Sequence, residues 1–397
     1  MRIAFLCGSL EPGRDGVGDY TRRLAAECVR QGHECRLVAL RDRYVSEAVF
    51  EDQPSEGISL PSLRCGAALS VARRNAAARA FIAPFAPDWI SLQFVPYAFH
   101  PKGIPCRFAR DLREVIAGRP LHIMFHELWI GAGGGAHAWK HRLVGAIQRL
   151  CIFRLVAMLR PRVVHSSNAA YIARLRAGGV VAEELPLFGN IPIAPADAPL
   201  PPELLAAGLP LAGSERDAWW CAVFFGILHP EWRPEPFIST LLSAAKRAGK
   251  QVCLISAGRM GAAGEVLWER LSQTYGQEIL FIRCGEQPSQ RISALLRWAD
   301  FGVAASPWRL LGKSGSAATM LAHGLCVIVP RDTGAPSGDT APYYPCDARL
   351  VERLVAGLPK RPPASRLGEI CTGFLRALPV ASQLAKPACP PPITSAS

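Results

Sequence analysis

The chain has 397 residues, about half of them hydrophobic, which is enough for two α/β domains with large cores. The net charge of +13 is spread along the chain, so it indicates no nucleic-acid-binding tail. It suits anionic substrates or an anionic membrane surface instead. The 13 cysteines contain no CxxC pair, and we expect them to be reduced core residues rather than disulfides or metal ligands.

The chain opens with a predicted strand at 2–7, a glycine-rich loop (GSLEPGRDGVG) and an amphipathic helix over 17–31. This βα crossover is where α/β proteins commonly bind ligands. The loop glycines are spaced GxxGxG, which is not the GxGxxG fingerprint of dinucleotide-binding proteins. The pattern therefore disfavours an NAD site.

Alternation then continues, with strands predicted at 34–40, 89–95 and 121–125 and helices at 67–85 and 108–117. The strand at 121–125 ends in His126 and Glu127, which precede the glycine-rich segment IGAGGGAH. A His and a carboxylate at the carboxyl end of a strand are a candidate catalytic pair in this architecture. A satisfied structural histidine is the open alternative.

A long helix is predicted over 138–159, and two interpretations of it stay open. It is either a core helix with a solvated basic face or a membrane-surface helix anchored by Trp139. The apolar stretch 143–164 is interrupted by four arginines, so we do not expect it to span a bilayer. We also find no signal peptide and expect a cytoplasmic protein.

Six prolines between residues 191 and 210 predict an interdomain linker, because that density cannot build a helix or an inner strand. The expected layout is an N-terminal α/β domain at 1–190, the linker at 191–217 and a second α/β domain at 218–345. Short helices are expected at 346–385 and a disordered tail at 386–397.

The second domain repeats the alternation, with strands predicted at 219–225, 252–257, 279–283, 301–305 and 326–329. Parallel strands end at one edge of a sheet, so residues that follow them meet there. We therefore expect Gly226, Arg259, Glu286 and Lys313 to converge on one crevice.

The strongest local signal is ADFGVAASPWRLLGKSGSAATMLAHG, residues 299–324. It predicts a buried strand, a turn at 307–313 and a helix at 314–323. Lys313, Ser314, Gly315 and Ser316 stand at the helix start, where unpaired N–H groups and the helix dipole favour an anion. We interpret them as a diphosphate cradle. The alternative is that Ser314 is only an N-cap. A P-loop is excluded, because Pro307 stands where that motif needs glycine.

Five segments of the chain resemble the GT-B glycosyltransferases, particularly family four. They are MRIAFLCGSLEPGRDGVGDYTRRLA, ISLQFVPY, HIMFHELW, LPLFGNIP and ADFGVAASPWRLLGKSGSAATMLAHGLCVIV. The resemblance implies an α/β fold with two Rossmann-like domains facing each other across a cleft. It also implies a nucleotide-sugar donor held mainly by the C-terminal domain and an acceptor held by the N-terminal one.

By the same resemblance, the diphosphate lies on residues 313–316, Gly226 lines the pocket and Glu286 lies near the nucleoside or sugar. Gly16 and Gly18 let a loop approach the transferred sugar, and His126 sits beside the reacting centre. No metal and no cofactor are expected apart from the nucleotide-sugar substrate.

The chain departs from the family pattern at two kinds of position. Leu311 and Thr319 stand where many family-four enzymes carry a pair of Glu residues. Ile227 stands where an Arg is expected, and Arg233 is the candidate replacement for the following Lys. The donor must then be held differently, or the chain has lost activity.

We expect a sugar transferase that acts on a polysaccharide or lipid-linked acceptor at the inner face of the plasma membrane, without a nucleic-acid partner. A GT-B nucleotide-sugar epimerase and a non-catalytic GT-B-like scaffold are the alternatives.

Overall fold

The computed structural model describes residues 1–131, 138–229, 232–331 and 340–379. The chain forms two compact units. The first comprises Met1–Ser166, Arg174–Leu185 and the chain from Cys371 onward. The second comprises Ser167–Ala173 and Pro186–Ile370.

The first unit is built on an eight-stranded sheet with the strand order β3-β4-β2-β1-β5-β6-β7-β8. All of its neighbouring strands pair in parallel except β3 and β4, which are antiparallel. The strands are β1 (Arg2–Cys7), β2 (Glu34–Asp42), β3 (Ala48–Ser55), β4 (Ile58–Gly66), β5 (Trp89–Phe94), β6 (Leu121–Phe125), β7 (Val163–Ser166) and β8 (Glu183–Glu184).

The second unit is built on a six-stranded, wholly parallel sheet with the order β11-β10-β9-β12-β13-β14. Its strands are β9 (Trp219–Phe225), β10 (Gln251–Ala257), β11 (Ile279–Gly285), β12 (Phe301–Val303), β13 (Val327–Val329) and β14 (Tyr343–Pro345). Strands β10 and β12 are almost entirely buried, and β9 is apolar throughout and buried at its centre, as expected for inner parallel strands with both faces covered.

Fourteen α-helices lie within the described residues. They are α1 (Gly16–Arg30), α2 (Val71–Ile82), α3 (Pro96–Phe99), α4 (Phe108–Ile116), α5 (Ala138–Leu159), α6 (Ala169–Arg176), α7 (Pro202–Ala206), α8 (Gly213–Asp217), α9 (Glu235–Ala248), α10 (Ala262–Tyr275), α11 (Ser289–Trp298), α12 (Gly315–Ala322), α13 (Leu350–Ala356) and α14 (Leu367–Ala377). The predicted fold class, α/β with two Rossmann-like domains, is confirmed by these sheets and helices.

One hairpin was not predicted from the sequence. Strands β3 and β4 pair antiparallel around Glu56 and Gly57, which both have positive φ angles of 49° and 83°. Positive φ at both central residues is the geometry of a two-residue hairpin turn of type I′. The pattern was weak because Pro54 and Pro61 lie inside the strands, and proline within a run argues against a strand.

The predicted linker differs from the structure in one respect. Residues 191–201 contain no helix or strand, but α7 and α8 lie within 191–217, so the expectation that no helix forms there is wrong. Pro202 is at the first position of α7, where its missing N–H would be unbonded anyway and its fixed φ suits the helix.

Two further expectations bear on the cysteines and the termini. Cys106 and Cys151 are paired, with their Cα atoms 4.9 Å apart, so the expectation of no disulfide fails for these two. Ten other cysteines of the described residues are free, and nine of those are buried. The tail predicted to be disordered at 386–397 and the glycine-rich segment at 132–135 lie outside the described residues.

The last helix, α14, contributes to the core of the first unit although it comes from the end of the chain. Phe374 is fully buried, with its ring centroid 5.8 Å from that of Phe5 and 5.1 Å from that of His122. The Trp89 indole N–H donates to the carbonyl of Pro379 over 3.2 Å. None of the helices in the described residues is long and apolar enough to cross a membrane.

We expect Phe374→Ala to lower the free energy of unfolding by about 3–5 kcal/mol, because it removes a buried ring and leaves a cavity between α14 and the sheet. The measurement is guanidinium chloride unfolding followed by tryptophan fluorescence. Arg376→Ala, on the exposed side of the same helix, is the control and should change stability by no more than about 0.5 kcal/mol. Equal effects of the two substitutions would contradict the core role of α14.

Candidate functional site

The sheet of the second unit has a topological switch point between β9 and β12. From β9 the chain moves outward to β10 and β11, then returns to the other side of β9 at β12. At such a point the loops that follow the two central strands leave in opposite directions and open a crevice at the carboxyl edge. The residues after β9 and β12 are therefore placed where ligands bind in open α/β sheets.

The predicted cradle lies after β12. Residues Trp308–Lys313 form a 3₁₀ turn and α12 begins at Gly315. The backbone N–H of Ala317 donates to the Ser314 hydroxyl, which is 3.3 Å away, so Ser314 is the N-cap of α12. Ser314 is buried, and its hydroxyl is used by the helix itself. The Ser316 hydroxyl lies 3.1 Å from that of Ser314. Lys313 and the first N–H groups of α12 are at the same helix start, which is the kind of position that favours an anion.

Gly226 meets the cradle from β9. It follows the last residue of that strand and has a φ of +87°, which is costly for any residue with a Cβ. A Cβ built on Gly226 would lie 3.9 Å from Cβ of Ser316. The structure thus brings together Gly226 and the start of α12, as the sequence predicted from the strand ends.

Arg259 and Glu286 follow the next two strands at the same edge. Their side chains form an ion pair with 3.5 Å between Nε and Oε1, and both are about half exposed. The Gly258 N–H donates to the Gly285 carbonyl over 2.7 Å, which ties the two strand ends together. Because the Arg259 guanidinium neutralises Glu286, this side of the edge carries little net negative charge.

Arg233 has a different location. Its side chain is exposed and lines a hollow with Glu235, Val266 and Arg270, formed by α9 and α10. The prediction that Arg233 takes part in donor binding therefore has no support in its surroundings.

The start of α12 is contacted by residues that the sequence did not single out. The Asn190 backbone N–H donates to the Thr319 hydroxyl over 3.1 Å, and its side-chain nitrogen lies 3.8 Å from the Cβ position of Gly315. The Lys313 ammonium lies 5.9 Å from the ring centroid of Tyr171. Asn190 belongs to the segment LPLFGNIP, and this motif was the feature of the sequence that could have indicated it as a site residue.

In the first unit, His126 follows β6 at the carboxyl edge. Its backbone N–H donates to the Phe94 carbonyl, at the end of β5, over 3.1 Å. Its ring meets the ring of Tyr20 edge-on, with centroids 4.9 Å apart. Tyr20 is on α1, so His126 lies between the end of the sheet and the first helix. Glu127, the next residue, is half-buried.

A chain of buried hydrogen bonds runs from His126 into the sheet. His126 Nε2 is 2.9 Å from the Gln93 amide oxygen, and the Gln93 amide nitrogen donates to Ser91 over 2.8 Å. Ser91 is 2.8 Å from Nδ1 of His122, whose Nε2 is 3.0 Å from Nδ1 of His165. An amide oxygen only accepts, so Nε2 of His126 carries the proton and Nδ1 is left as an acceptor.

Burial lowers the pKa of His126 to about 3, because a charged imidazolium would be desolvated there. The pKa values of His122 and His165 are lowered for the same reason. His126 is therefore neutral near pH 7. It can accept a hydrogen bond at Nδ1, but it cannot supply a positive charge.

The glycine-rich loop of the first unit is held by charged side chains. Asp42 is fully buried and accepts from the Leu10 N–H over 3.0 Å and from Arg64 Nε over 2.8 Å. Arg64 also pairs with Glu11. Hydrogen bonds from Arg64 lower the pKa of Asp42 even though burial opposes this shift. The hairpin of β3 and β4, which carries Arg64, thus fixes the loop between β1 and α1.

The two candidate glycines of that loop differ in what surrounds them. A Cβ on Gly18 would lie 2.4 Å from the carbonyl oxygen of Ser9, so Gly18 is required for close packing of α1 on the loop. Its N–H, like that of Val17, donates to Asp15, the N-cap of α1. Gly16 is the first residue of α1. Packing and capping account for Gly18 without a ligand.

No group of three or more His, Cys, Asp and Glu side chains suited to a metal ion occurs within residues 1–131, 138–229, 232–331 and 340–379. Binding of a nucleotide sugar without a metal stays a prediction.

Comparison with known proteins identifies the fold. No protein-family model and no curated protein sequence matches the chain. The chain is similar to the solved structure of an α,α-trehalose-phosphate synthase (UDP-forming) from Burkholderia xenovorans in complex with glucose-6-phosphate. The TM-score is 0.57 at 13% identity, over 95% of this chain and 99% of the other.

Two other solved structures are similar at the same level. One is a UDP-GlcNAc 2-epimerase from Methanocaldococcus jannaschii, with a TM-score of 0.53, 9% identity and coverage of 95% and 99%. The other is the catalytic domain of starch synthase IV from Arabidopsis thaliana bound to ADP and acarbose, with a TM-score of 0.51, 11% identity and coverage of 95% and 98%. At these identities the likeness shows a common fold.

The neutral state of His126 makes stability depend on pH. Its pKa of about 3 in the folded protein lies below the ordinary 6.5, so below pH 6.5 the unfolded chain binds a proton that the folded protein does not. We expect this contribution to be complete above pH 6.5 and to be lost as the pH falls toward 3, at up to about 1.4 kcal/mol per pH unit. Urea unfolding at a series of pH values measures it.

His126→Gln should flatten this acid dependence, because Gln does not titrate. His141→Gln is the matched control, since His141 is exposed on α5, and it should leave the slope unchanged. An acid slope that is the same in the wild type and in His126→Gln would show that His126 does not titrate in this way.

Proposed function

We propose that the protein transfers a sugar from a nucleoside-diphosphate sugar to an acceptor. The observation that carries the proposal is the start of α12 at the switch point of the second sheet. The start of α12 carries the Lys313 ammonium, the Ser316 hydroxyl and the first N–H groups of a helix, and Ser316 lies beside Gly226. This is a set of donors for a diphosphate, placed where open α/β sheets bind ligands.

The same donors account for a transfer reaction. When the bond between the sugar and the diphosphate breaks, negative charge grows on the leaving diphosphate. Preorganised N–H and O–H donors and an ammonium group stabilise this additional charge in the transition state more than they stabilise the bound nucleotide sugar, and so lower the barrier. Lys313 and Ser316 would bind the leaving group, and Ser314 would hold the helix start in place as its cap.

Three structural neighbours support a nucleoside-diphosphate ligand. They are a UDP-forming synthase, a synthase bound to ADP and an epimerase of UDP-GlcNAc. A uridine or adenosine diphosphate group is common to all three, although two are synthases and one is an epimerase. The nucleoside diphosphate is thus the part of the proposed substrate that these neighbours support best.

We assign the acceptor, a polysaccharide or a lipid-linked glycan, to the first unit, with His126 and Glu127 as candidate catalytic residues. His126 is neutral and offers Nδ1 as an acceptor, which suits a hydrogen bond from a sugar hydroxyl. Gln93 is a positioning residue, because its amide oxygen fixes the tautomer of His126.

We place the chain near family four of the GT-B glycosyltransferases, with altered donor contacts. Thr319 stands where a Glu is common. It is fully buried, and its hydroxyl donates to the Gly315 carbonyl over 2.7 Å. Leu311 is also buried. Because neither side chain can bind a ribose or sugar hydroxyl as a carboxylate would, the epimerase and the non-catalytic scaffold stay as alternatives.

Lys313→Ala should weaken nucleotide binding about 10- to 100-fold, because it removes a charge-assisted bond worth about 1.5–3 kcal/mol. Thermal shift with UDP, GDP, ADP and their sugars measures this. A ligand at about 100 times its dissociation constant adds about 2.7 kcal/mol to stability. Lys246→Ala, an exposed lysine near the end of α9, is the control. Retention of the full shift in Lys313→Ala would refute the cradle.

Product analysis with the nucleotide sugar that binds then separates the reactions. A transferase releases the nucleoside diphosphate and transfers the sugar only when a glycan acceptor is present. An epimerase converts the sugar without an acceptor, and a scaffold changes neither compound.

We further propose that the protein is cytoplasmic and binds the inner face of the plasma membrane through α5. Trp139, Leu143 and Leu150 are 64%, 57% and 68% exposed. Their spacing puts them on one stripe of the helix. The helix contains Lys140, three arginines and no acidic residue, so an anionic lipid surface would complement its charge.

Membrane binding is tested by sedimentation with vesicles. We expect the protein to bind vesicles rich in phosphatidylglycerol and to dissociate from them at high salt. Arg142→Gln should weaken binding about fivefold, since each basic residue near an anionic surface is worth about 1 kcal/mol. The double variant Trp139→Ala, Leu143→Ala should weaken it further. Val266→Ser, at an exposed apolar residue of α10, is the control. Equal sedimentation of all variants would exclude α5 as the contact.

A further inference from the structure

A cavity lies in the first unit, and none of its lining residues is among the donor-binding or catalytic candidates. It has a volume of about 570 Å³ and lies among the end of β2, α2, the segment after β5 and the start of α4. All of its lining residues belong to the first unit. Its volume is in the range of small-molecule sites and exceeds what an inorganic ion needs.

Three arginines and a histidine converge on this cavity from separate elements. Arg41 comes from β2, Arg74 from α2, Arg107 from the residue before α4, and His100 follows α3. The pKa values of Arg74 and His100 are lowered by burial and by the positive charge of Arg41, which shows that these groups lie close together.

The arginines form no ion pair with a described carboxylate, although the negative charge of Asp111 acts on Arg74 and opposes the lowering of its pKa. Asp111 is the one carboxylate among the described lining residues, and no described carboxylate forms an ion pair with Arg41, Arg74 or Arg107. Arg74 donates to the Leu40 carbonyl over 3.0 Å, whereas its Nε is buried with no hydrogen-bond partner among the described residues.

The remaining walls define the rest of the ligand. Phe99, Ile104, Phe108 and Leu112 line the cavity with apolar surface. Helix α4 begins at Phe108, and no side chain of the described residues caps its start. The N–H groups of Phe108 and Arg110 donate to the carbonyls of Pro105 and Arg107, so the helix contributes mainly its dipole to the positive potential on one side of an apolar space.

We propose that this cavity binds an organic phosphate monoester, with its phosphate among Arg41, Arg74 and the start of α4 and its organic part against the apolar walls. An arginine can donate two parallel hydrogen bonds to a phosphate. Several arginines together therefore suit a phosphate monoester, which has three terminal oxygen acceptors, better than they suit a single carboxylate. The site is independent of the donor cradle, which belongs to the other unit.

The test is isothermal titration of the full chain with phenyl phosphate, with phenol as the uncharged probe. We expect saturable binding of one phenyl phosphate and none of phenol. Arg41→Gln and Arg74→Gln should each weaken binding at least about tenfold. Arg110→Gln removes an exposed arginine of α4 that is not among the lining residues, and it should bind as the wild type does.

Two sources of the phosphate are distinguished by n-octyl phosphate below its micellar concentration. Tighter binding of octyl phosphate than of phenyl phosphate assigns the site to a lipid-linked phosphate. Tighter binding of phenyl phosphate assigns it to a compact soluble phosphate ester.

Several results would overturn the inference. They are absence of binding, equal binding of phenol, and affinities for Arg41→Gln and Arg74→Gln that equal the wild type. Loss of phenyl phosphate binding in Lys313→Ala alone would place the phosphate in the donor cradle instead. Because Lys313→Ala is predicted to leave this cavity intact, failure of the donor site and failure of the present inference give different results.

Discussion

Parallel strand pairing is the constraint on which both candidate sites depend. Strands that pair in parallel all end at one edge, and the order of strands in each sheet reverses once, between β1 and β5 in the first unit and between β9 and β12 in the second. The loops that follow these central strands diverge and leave a crevice. In the second unit this places Gly226 and the start of α12 together. In the first it places the glycine-rich loop and His126 at one edge, although 100 residues or so lie between them in the chain.

Much of what resembles a binding motif is used by the fold itself. Ser314 caps α12, Gly18 allows α1 to pack on the carbonyl of Ser9, and the Thr319 hydroxyl bonds the backbone of its own helix. The two hydroxyls form hydrogen bonds with backbone groups, and a buried backbone group without a hydrogen bond costs free energy. These roles also narrow the set of groups with which the start of α12 could bind a ligand.

The charge of the chain has distinct local uses. In the first unit, Arg64 is paired with Asp42 and Glu11 and holds a loop, so it contributes no attraction for ligands. The basic groups of α5 and those around Arg74 are not matched by acidic side chains in this way. The composition gives only the total positive charge. In the structure, some of the basic residues form structural ion pairs, and others lie on the two surfaces that we propose bind anions. His126 adds no positive charge, because burial keeps its side chain neutral.

The sequence by itself determined the class of fold, most strands and helices, and the convergence of Gly226 and the 313–316 segment. These depend on apolar runs, glycines and alternation, which are local signals. It did not determine the hairpin of β3 and β4, whose prolines obscure the pattern, or the two short helices near Pro202. Only the tertiary structure decided that Arg233 lines another hollow, that Asn190 and Tyr171 approach the cradle, and that Gln93 fixes the tautomer of His126. Such contacts join residues distant in the chain, and no periodicity within a segment encodes them.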